Sequence, residues 1–392
     1  MASDAHPWLL HRLRQLPNAT APTGPLAREP WSAIVEDAQR HGLTALVSDG
    51  ILQAGCDDLP PDIRDALARA THALVAKNLA LAHELAAILS RFRDRGIQAV
   101  PLRGPALAEQ LYGDPTARPC GDLDLLVRKA QLDQVKAVLS ELDYRLCDRR
   151  PGFAQAFSYT WEFFKTQPIP IIIEPHWSLA YPPYTEQLDM DAVWRRCVPG
   201  RACGVETWLL SPEDQLLNLC LHLVHHNGNA PRLWVSELDA ILRKEQTALQ
   251  WPQLLKTAQE AGVGRLVAQA LHRTQAAFET PLPEGIVEQC RAQHTLRRSM
   301  AGRVLDAVDV PGKESLAAWF ALKGWAAKWH YAGGLLFPSP EFMRLHYGLS
   351  TRWQVGLWYL RRVFQLGLSA CKGFCQLVVN GYGRRRYTSF RC

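Results

Sequence analysis

The sequence predicts an α+β protein in which a small sheet-bearing domain sits between two helical regions. Three observations carry this. Apolar residues recur at helical spacing up to about residue 95 and again from about residue 209. Between those limits, strand and helix patterns interleave, as a compact α+β unit requires. The composition is globular: 392 residues, 47% hydrophobic and 21% charged. That suits two or three units of roughly 150 residues and excludes disordered and collagen-like classes. The expected division is an N-terminal helical region over 1–95, a sheet-bearing α+β domain over 96–208 and a C-terminal helical domain over 209–392.

The elements follow in order. Residues 31–45 read as a helix with a break at His41-Gly42. Pro60-Pro61 starts a second helix, carried by Leu67, Leu74, Leu81, Leu85 and Ile88 and stopped by Arg91, Arg93, Arg95 and Gly96. Residues 97–102 read as a short strand, then Arg103-Gly104-Pro105 turns into a helix ending at Tyr112. Residues 123–127 form a second strand, 131–142 an amphipathic helix, and 144–147 the start of a third strand. Residues 155–165 are aromatic and β-prone, and the β-branched run 169–176 is a strand. Ser211-Pro212 opens the helical C-terminal part, with Ser211 as N-cap and Asp214 at the third helical position. Breaks are expected near 227–231, 281–283 and 337–340.

Charge narrows the partners. Lys+Arg 44 against Asp+Glu 38 gives +6, a milder and less clustered excess than nucleic-acid binding usually needs. Ten cysteines are scattered without a Cys-x-x-Cys pair, and the first residues lack a signal-peptide core. These point to free thiols and a cytoplasmic location. No uncharged apolar run reaches the roughly 18 residues that would suggest a transmembrane segment.

The strongest chemical signal is Gly121-Asp122-Leu123-Asp124-Leu125-Leu126-Val127. Side chains two apart on a strand share a face, so Asp122 and Asp124 stand together while Leu123, Leu125 and Val127 cover the other side. Two adjacent carboxylates repel unless a cation lies between them, and hard oxygen donors select Mg²⁺ or Mn²⁺. Alone, Asp-x-Asp also fits a solvated strand edge. A third acid, Glu174, ends the strand Ile171-Ile172-Ile173 and shares its face with Ile172 and His176, while Ile171 and Ile173 point into the core. Glu174 either completes a metal site with the two aspartates or marks where the strand meets solvent.

Taken together, Pro101-Leu102-Arg103-Gly104-Pro105, Leu111-Tyr112-Gly113-Asp114-Pro115, Arg118, the Asp122/Asp124 strand and Ile173-Glu174-Pro175-His176-Trp177 resemble an uncharacterised bacterial nucleotidyltransferase family, type 5 of the polymerase-beta-type superfamily. The resemblance spans roughly residues 30–245. It implies a core of small mixed sheet and helices. It also implies transfer of a nucleoside monophosphate from an NTP such as ATP, with Mg²⁺ or Mn²⁺ as cofactor and release of pyrophosphate. Asp122, Asp124 and Glu174 would be the catalytic and metal-binding acids. Arg103, Gly104, Arg118 and Gly121 would bind nucleotide. Arg103 stands where the family usually places Lys, and Gly104-Pro105 replaces the superfamily's Gly-Ser turn.

Other residues carry open alternatives. Arg118 reaches phosphate or pairs with Asp114. His176 orients Glu174 or touches substrate, or packs beside Trp177. His222 and His226 share a helix face at i,i+4, either facing substrate or packing on the catalytic domain; Asp239 contacts substrate or caps that face. The acceptor pocket is expected between the acid face and this helix, with the C-terminal domain as one wall. The acceptor is unidentified: protein, peptide, small molecule or RNA. A toxin-like member acting on RNA 3′ ends and a silent NTP-binding module are the alternatives. Cys371 and Cys375 read as core. The apolar, basic C-terminus either packs or makes peripheral contact with an anionic membrane.

Overall fold

A computed structural model describes residues 35–36, 38–40, 43–44, 47–48, 61–225, 232–292, 300–307 and 312–388. The His41-Gly42 break, His226 and the break at 227–231 lie outside the described residues. Helix α1 (Pro61–Asp94) leads to β1 (Ala99–Pro101), α2 (Gly104–Tyr112) and β2 (Leu123–Val127). Then come α3 (Leu132–Glu141), β3 (Arg145–Leu146), α4 (Phe153–Phe157), β4 (Phe163–Lys165) and β5 (Ile171–His176). The five strands form one mixed sheet in the order β1-β2-β5-β4-β3. Only β2 and β5 run parallel; β1 pairs with β2, and β4 with β5 and β3, in antiparallel fashion.

The alternation read in the sequence decides which face goes where. Leu123, Leu125 and Val127 join Ile171 and Ile173 against Leu81, Leu85, Ile88 and Phe92 of α1 and Val135 and Leu139 of α3. Full burial of each such side chain stabilises by about 1.5–3 kcal/mol. By length and hydropathy (1.3 over its most apolar window) α1 also matches a membrane-crossing helix, but these residues give it a core role. On the opposite face, Val100 and Leu126 join a second core with the C-terminal helices. The acids therefore stand on a face that helices cover.

Two segments differ from the sequence reading. Residues 155–165, read as β-prone, begin in α4, and only Phe163–Lys165 is strand. Gly152, at φ 77, turns the chain into α4, and Asp148 Oδ1 accepts from Ala154 N at 3.1 Å. Phe153 and Phe157 then share one helix face, their ring centroids 5.1 Å apart. The second difference is an additional hairpin. After α5 (Met190–Arg196), β6 (Val198–Ala202) and β7 (Val205–Leu209) pair through a Cys203-Gly204 loop. Both loop residues have positive φ (47° and 79°), as a tight two-residue hairpin turn demands. The hairpin leans on β1, where Thr207 Oγ1 donates to Ala99 O at 2.9 Å.

Helices dominate from α6 (Pro212–His225). Its start is capped as expected: Ser211 Oγ accepts from Asp214 N at 3.2 Å. Next come α7 (Arg232–Lys244), α8 (Trp251–Glu260), α9 (Gly264–Phe278) and α10 (Ile286–Ala292). The last five are α11 (Met300–Ala307), α12 (Lys313–Ala321), α13 (Trp325–Leu336), α14 (Pro340–Tyr347) and α15 (Arg352–Thr388). The interruptions at 281–283 and 337–340 fall between α9 and α10 and between α13 and α14. Cys371 and Cys375, read as core, are exposed free thiols on α15: no helix among the described residues buries their face.

Candidate active site

The register of the parallel pair builds the site. Asp124 on β2 lies directly beside Glu174 on β5, and His176, two residues on, shares Glu174's face. Ligand atoms of Asp124, Glu174 and His176 all lie within 4.8 Å of one another. His176 Nε2 donates to Asp124 Oδ1 at 2.9 Å and stands 3.6 Å from Glu174 Oε2. Asp122 precedes the strand and stays outside this trio.

Arg103 closes the other side of Asp124. It caps the start of α2 with extended backbone, and Gly104 follows at φ +66. A Cβ on Gly104 would stand 3.4 Å from Asp122 O, at a φ that side chains rarely adopt. The turn thus presses against the start of β2. Arg103 Nη2 lies 2.7 Å from Asp124 Oδ1, and its Nε donates to Oδ2 at 2.9 Å. Helix α6 braces this turn: Asn218 Oδ1 accepts from Arg103 Nη1 at 3.3 Å, and Gln215 Nε2 donates to Leu102 O at 3.1 Å. An arginine can only donate, so Asn218 must present its oxygen to it. Its buried Nδ2 is left without an acceptor among the described residues.

Electrostatics separates the three acids. Burial alone would raise Asp124, but Arg103's charge and His176's hydrogen bond outweigh it and hold the carboxyl well below the usual range. Asp122 is pushed up to about 6, by burial first and then by Asp124's charge. Glu174 is pushed up to about 8 by burial, then by Asp124 and Asp122. Burial lowers His176, against the opposing hydrogen bond and charge of Asp124. The cluster is one neutralised carboxylate beside two that resist ionisation, a state that opposite charge would relieve.

A family model described as an uncharacterised nucleotidyltransferase matches residues 27–279. The chain belongs to that family. A solved structure, that of an antigenic nucleotidyltransferase-like protein from Paracoccidioides brasiliensis, is similar at 14% identity. The alignment covers 53% of this chain and 95% of that one, at a TM-score of 0.35. No curated protein matches the chain.

The remaining candidate residues of this family member separate by position. Arg118 faces away from Asp114: its Nε lies 2.8 Å from Glu237 Oε1 on α7, a buried pair. Asp114 instead accepts from Thr116 N at 2.7 Å. Gly121 is exposed, with open space around it. Asp239 is buried away from the acids, where Arg243 Nε and Thr280 Oγ1 donate to its Oδ1 at 2.9 and 2.6 Å. His222 packs on Trp234, ring centroids 4.1 Å apart.

A cavity of about 420 Å³ opens in front of Glu174, walled by Tyr159, Tyr181 and His225 and, from the C-terminal helices, by Glu314 and Tyr331. The cavity adjoins both the acid face and the end of α6; among the described residues its histidines are His225, whose ring is tilted 38° against Tyr181 at 4.1 Å, and His346. Tyr159 bridges the two parts, its ring centroid 5.3 Å from that of His176. Tyr159, Asn218 and His225 are the residues that sequence reasoning missed. One signal was available for Asn218, which sits one turn before His222 on the same helix.

Proposed function

We propose that the chain is a divalent-metal-dependent nucleotidyltransferase that moves a nucleoside monophosphate from an NTP to a hydroxyl in the Glu174 cavity. The observation that carries this reading is the Asp124–Glu174–His176 cluster on paired strands, set against the Gly104 turn. The donor set fits Mg²⁺ or Mn²⁺. Two carboxylates, Asp124 and Glu174, converge within 4.8 Å as oxygen donors, His176 holds Asp124 in place by donating to it, and the raised Asp122 and Glu174 carboxyls leave room for added positive charge. A cation held there supplies charge neutralisation for the triphosphate and for the entering and leaving oxygens.

The chain's own groups do the rest. The acceptor oxygen attacks the α-phosphorus, the bond to the β-phosphate oxygen breaks, and pyrophosphate leaves. Glu174, the one member of the trio lining the cavity, takes the acceptor's proton as a general base. The first backbone N–H groups of α2 face the nucleotide phosphates, less the one that Pro105 lacks. Asn218 Nδ2, buried and without an acceptor, donates to a phosphate oxygen. Tyr159 and His225 hold the acceptor.

One observation favours a second reading. Arg103 and His176 already engage both oxygens of Asp124, which suits a silent NTP-binding module. One experiment separates the two. Full-length protein, Mn²⁺, a cell lysate and each α-³²P-labelled NTP should yield a labelled acceptor, and γ-labelled NTPs none. Glu174→Gln should cut the yield by about a hundredfold or more. Label arriving from the γ position would mean kinase chemistry and end the proposal. Bound nucleotide without transfer from any NTP would establish the silent module.

A further inference from the structure

Helix α15 presents to solvent a face that a folded chain ordinarily covers. Trp353, Leu357, Leu360, Phe364 and Leu368 are spaced by four and three residues, so they line one side of the helix. They are 65, 55, 71, 67 and 45% exposed. At 1.5 Å per residue this stripe runs for about 22 Å. The helix has 37 residues, and its sequence holds Arg352, Arg361, Arg362, Lys372 and Arg384 to Arg386 but no carboxylate. Arg361 is exposed beside the stripe, its guanidinium 4.6 Å from the Trp358 ring.

The neighbouring helix continues the pattern. On α13, packed against α15, Trp325 and Trp329 are 68 and 72% exposed, and the Lys328 ammonium stands 5.6 Å from the Trp325 ring. Between α12, α13 and α15 runs a groove of about 470 Å³ with walls of Leu316, Trp319, Leu335, Val363 and Leu366.

We infer that this face lies on an anionic lipid bilayer, with α15 parallel to the membrane plane and the groove open to an acyl chain. Exposed tryptophans beside an apolar stripe suit the interfacial zone, where one part of the ring is wet and the other buried. Arg362 is engaged by Leu335 O and the Tyr347 hydroxyl, but the exposed Arg352 and Arg361, on a helix without a single acid, complement an anionic headgroup layer. A second copy of the chain is a poor cover. Stripe against stripe would set cation against cation, whereas a self-pairing helix carries opposite charges beside its seam.

The test uses the full chain with vesicles of phosphatidylcholine alone and of phosphatidylcholine mixed with phosphatidylglycerol. Cosedimentation with the anionic vesicles should exceed that with neutral ones by about tenfold or more and fall as KCl is raised. Leu360→Glu combined with Phe364→Glu, both at exposed positions, should leave melting unchanged and lower anionic binding by about tenfold or more. Hydrogen exchange reads the same face without a substitution: anionic vesicles should slow it over 352–368 more than in any sheet peptide. Wild-type protein that stays in solution with both vesicle types would overturn the inference, as would a double variant that binds undiminished. A wild-type dimer that the double variant dissolves would assign the face to a second copy instead.

Discussion

Two buried arginine–carboxylate pairs flank α2, and the same two charges meet in different surroundings. Arg118–Glu237 lies past the end of α2, with side chains 7 and 2% exposed and Tyr112 and Cys120 as its electrostatic neighbours. Arg103–Asp124 lies at the start of α2, 11 and 5% exposed, among Asp122, Glu174 and His176. In the first pair each charge stands against one opposite partner, with Arg103 as a lesser cationic neighbour of both. In the second, the carboxylate is shared between Arg103 and His176 and crowded by two further acids. A buried ion pair is weak evidence of stability by itself; what its surroundings compete for says more about its use.

Removing a partner from the closed pair should cost most. Arg118→Ala leaves Glu237 buried and unpaired, so urea unfolding should show a loss of about 3–5 kcal/mol. Mn²⁺ should return none of it. Recovery with Mn²⁺ would erase the distinction between the pairs.

Arg103→Ala should cost less, about 2–3 kcal/mol in metal-free buffer, because Asp124 keeps its bond from His176. Here Mn²⁺ should raise the melting temperature of the variant more than that of the wild type, since the cation takes the carboxylate that Arg103 released. An equal rise in both proteins would mean that Asp124 is not the ligand.

The smallest effect is a pH slope. Glu174, pushed up to about 8 by burial and then by Asp124 and Asp122, keeps its proton in the fold, whereas the unfolded chain ionises near 4.3. A raised carboxyl contributes fully below about pH 4, and that contribution is lost as pH climbs through 8. Metal-free stability should therefore fall by about 1 kcal/mol between pH 6.5 and 8, after allowance for partial exposure. Subtracting the Glu174→Gln profile isolates this group from the thiols, and saturating Mn²⁺ should flatten the difference. A difference that stayed level without metal would mean that neither burial nor neighbouring charge raises Glu174.

How much of this was legible depended on whether the determinant was local. The faces of β2 and β5 follow from strict alternation, so Asp124, Glu174 and His176 could be placed on one side from sequence. The capped start of α6 was equally local, because Ser211, Pro212 and Asp214 act within one turn. The partner of Arg103 was not legible: it depends on the β1–β2–β5 register and on α6 arriving from residue 212 onward. For the same reason Arg118 found Glu237, 119 positions along the chain, rather than Asp114 nearby. That α6 brings His225 rather than His222 to the cavity depends on the angle at which the helix docks, and helical spacing alone cannot report that. The β6–β7 hairpin did carry a signal, Cys203-Gly204 between alternating residues. It was overlooked because Cys is an unusual occupant of a positive-φ turn position.

The parallel pairing of β2 with β5 has one further consequence. Parallel neighbours cannot be joined by a tight turn, so the chain must leave the sheet after Val127 and return at Ile171, placing α3, β3, α4 and β4 in between. Tyr159, Glu162 and Phe153 of the cavity wall all belong to this excursion, while Asp124 and Glu174 are fixed by hydrogen bonds on either side of it. Insertions, deletions and substitutions within the crossover can therefore remodel what the cavity admits without sliding one acid past the other. If the proposed transfer holds, part of the cavity wall can vary on its own stretch of chain, and a lineage could change acceptor while leaving the reaction intact.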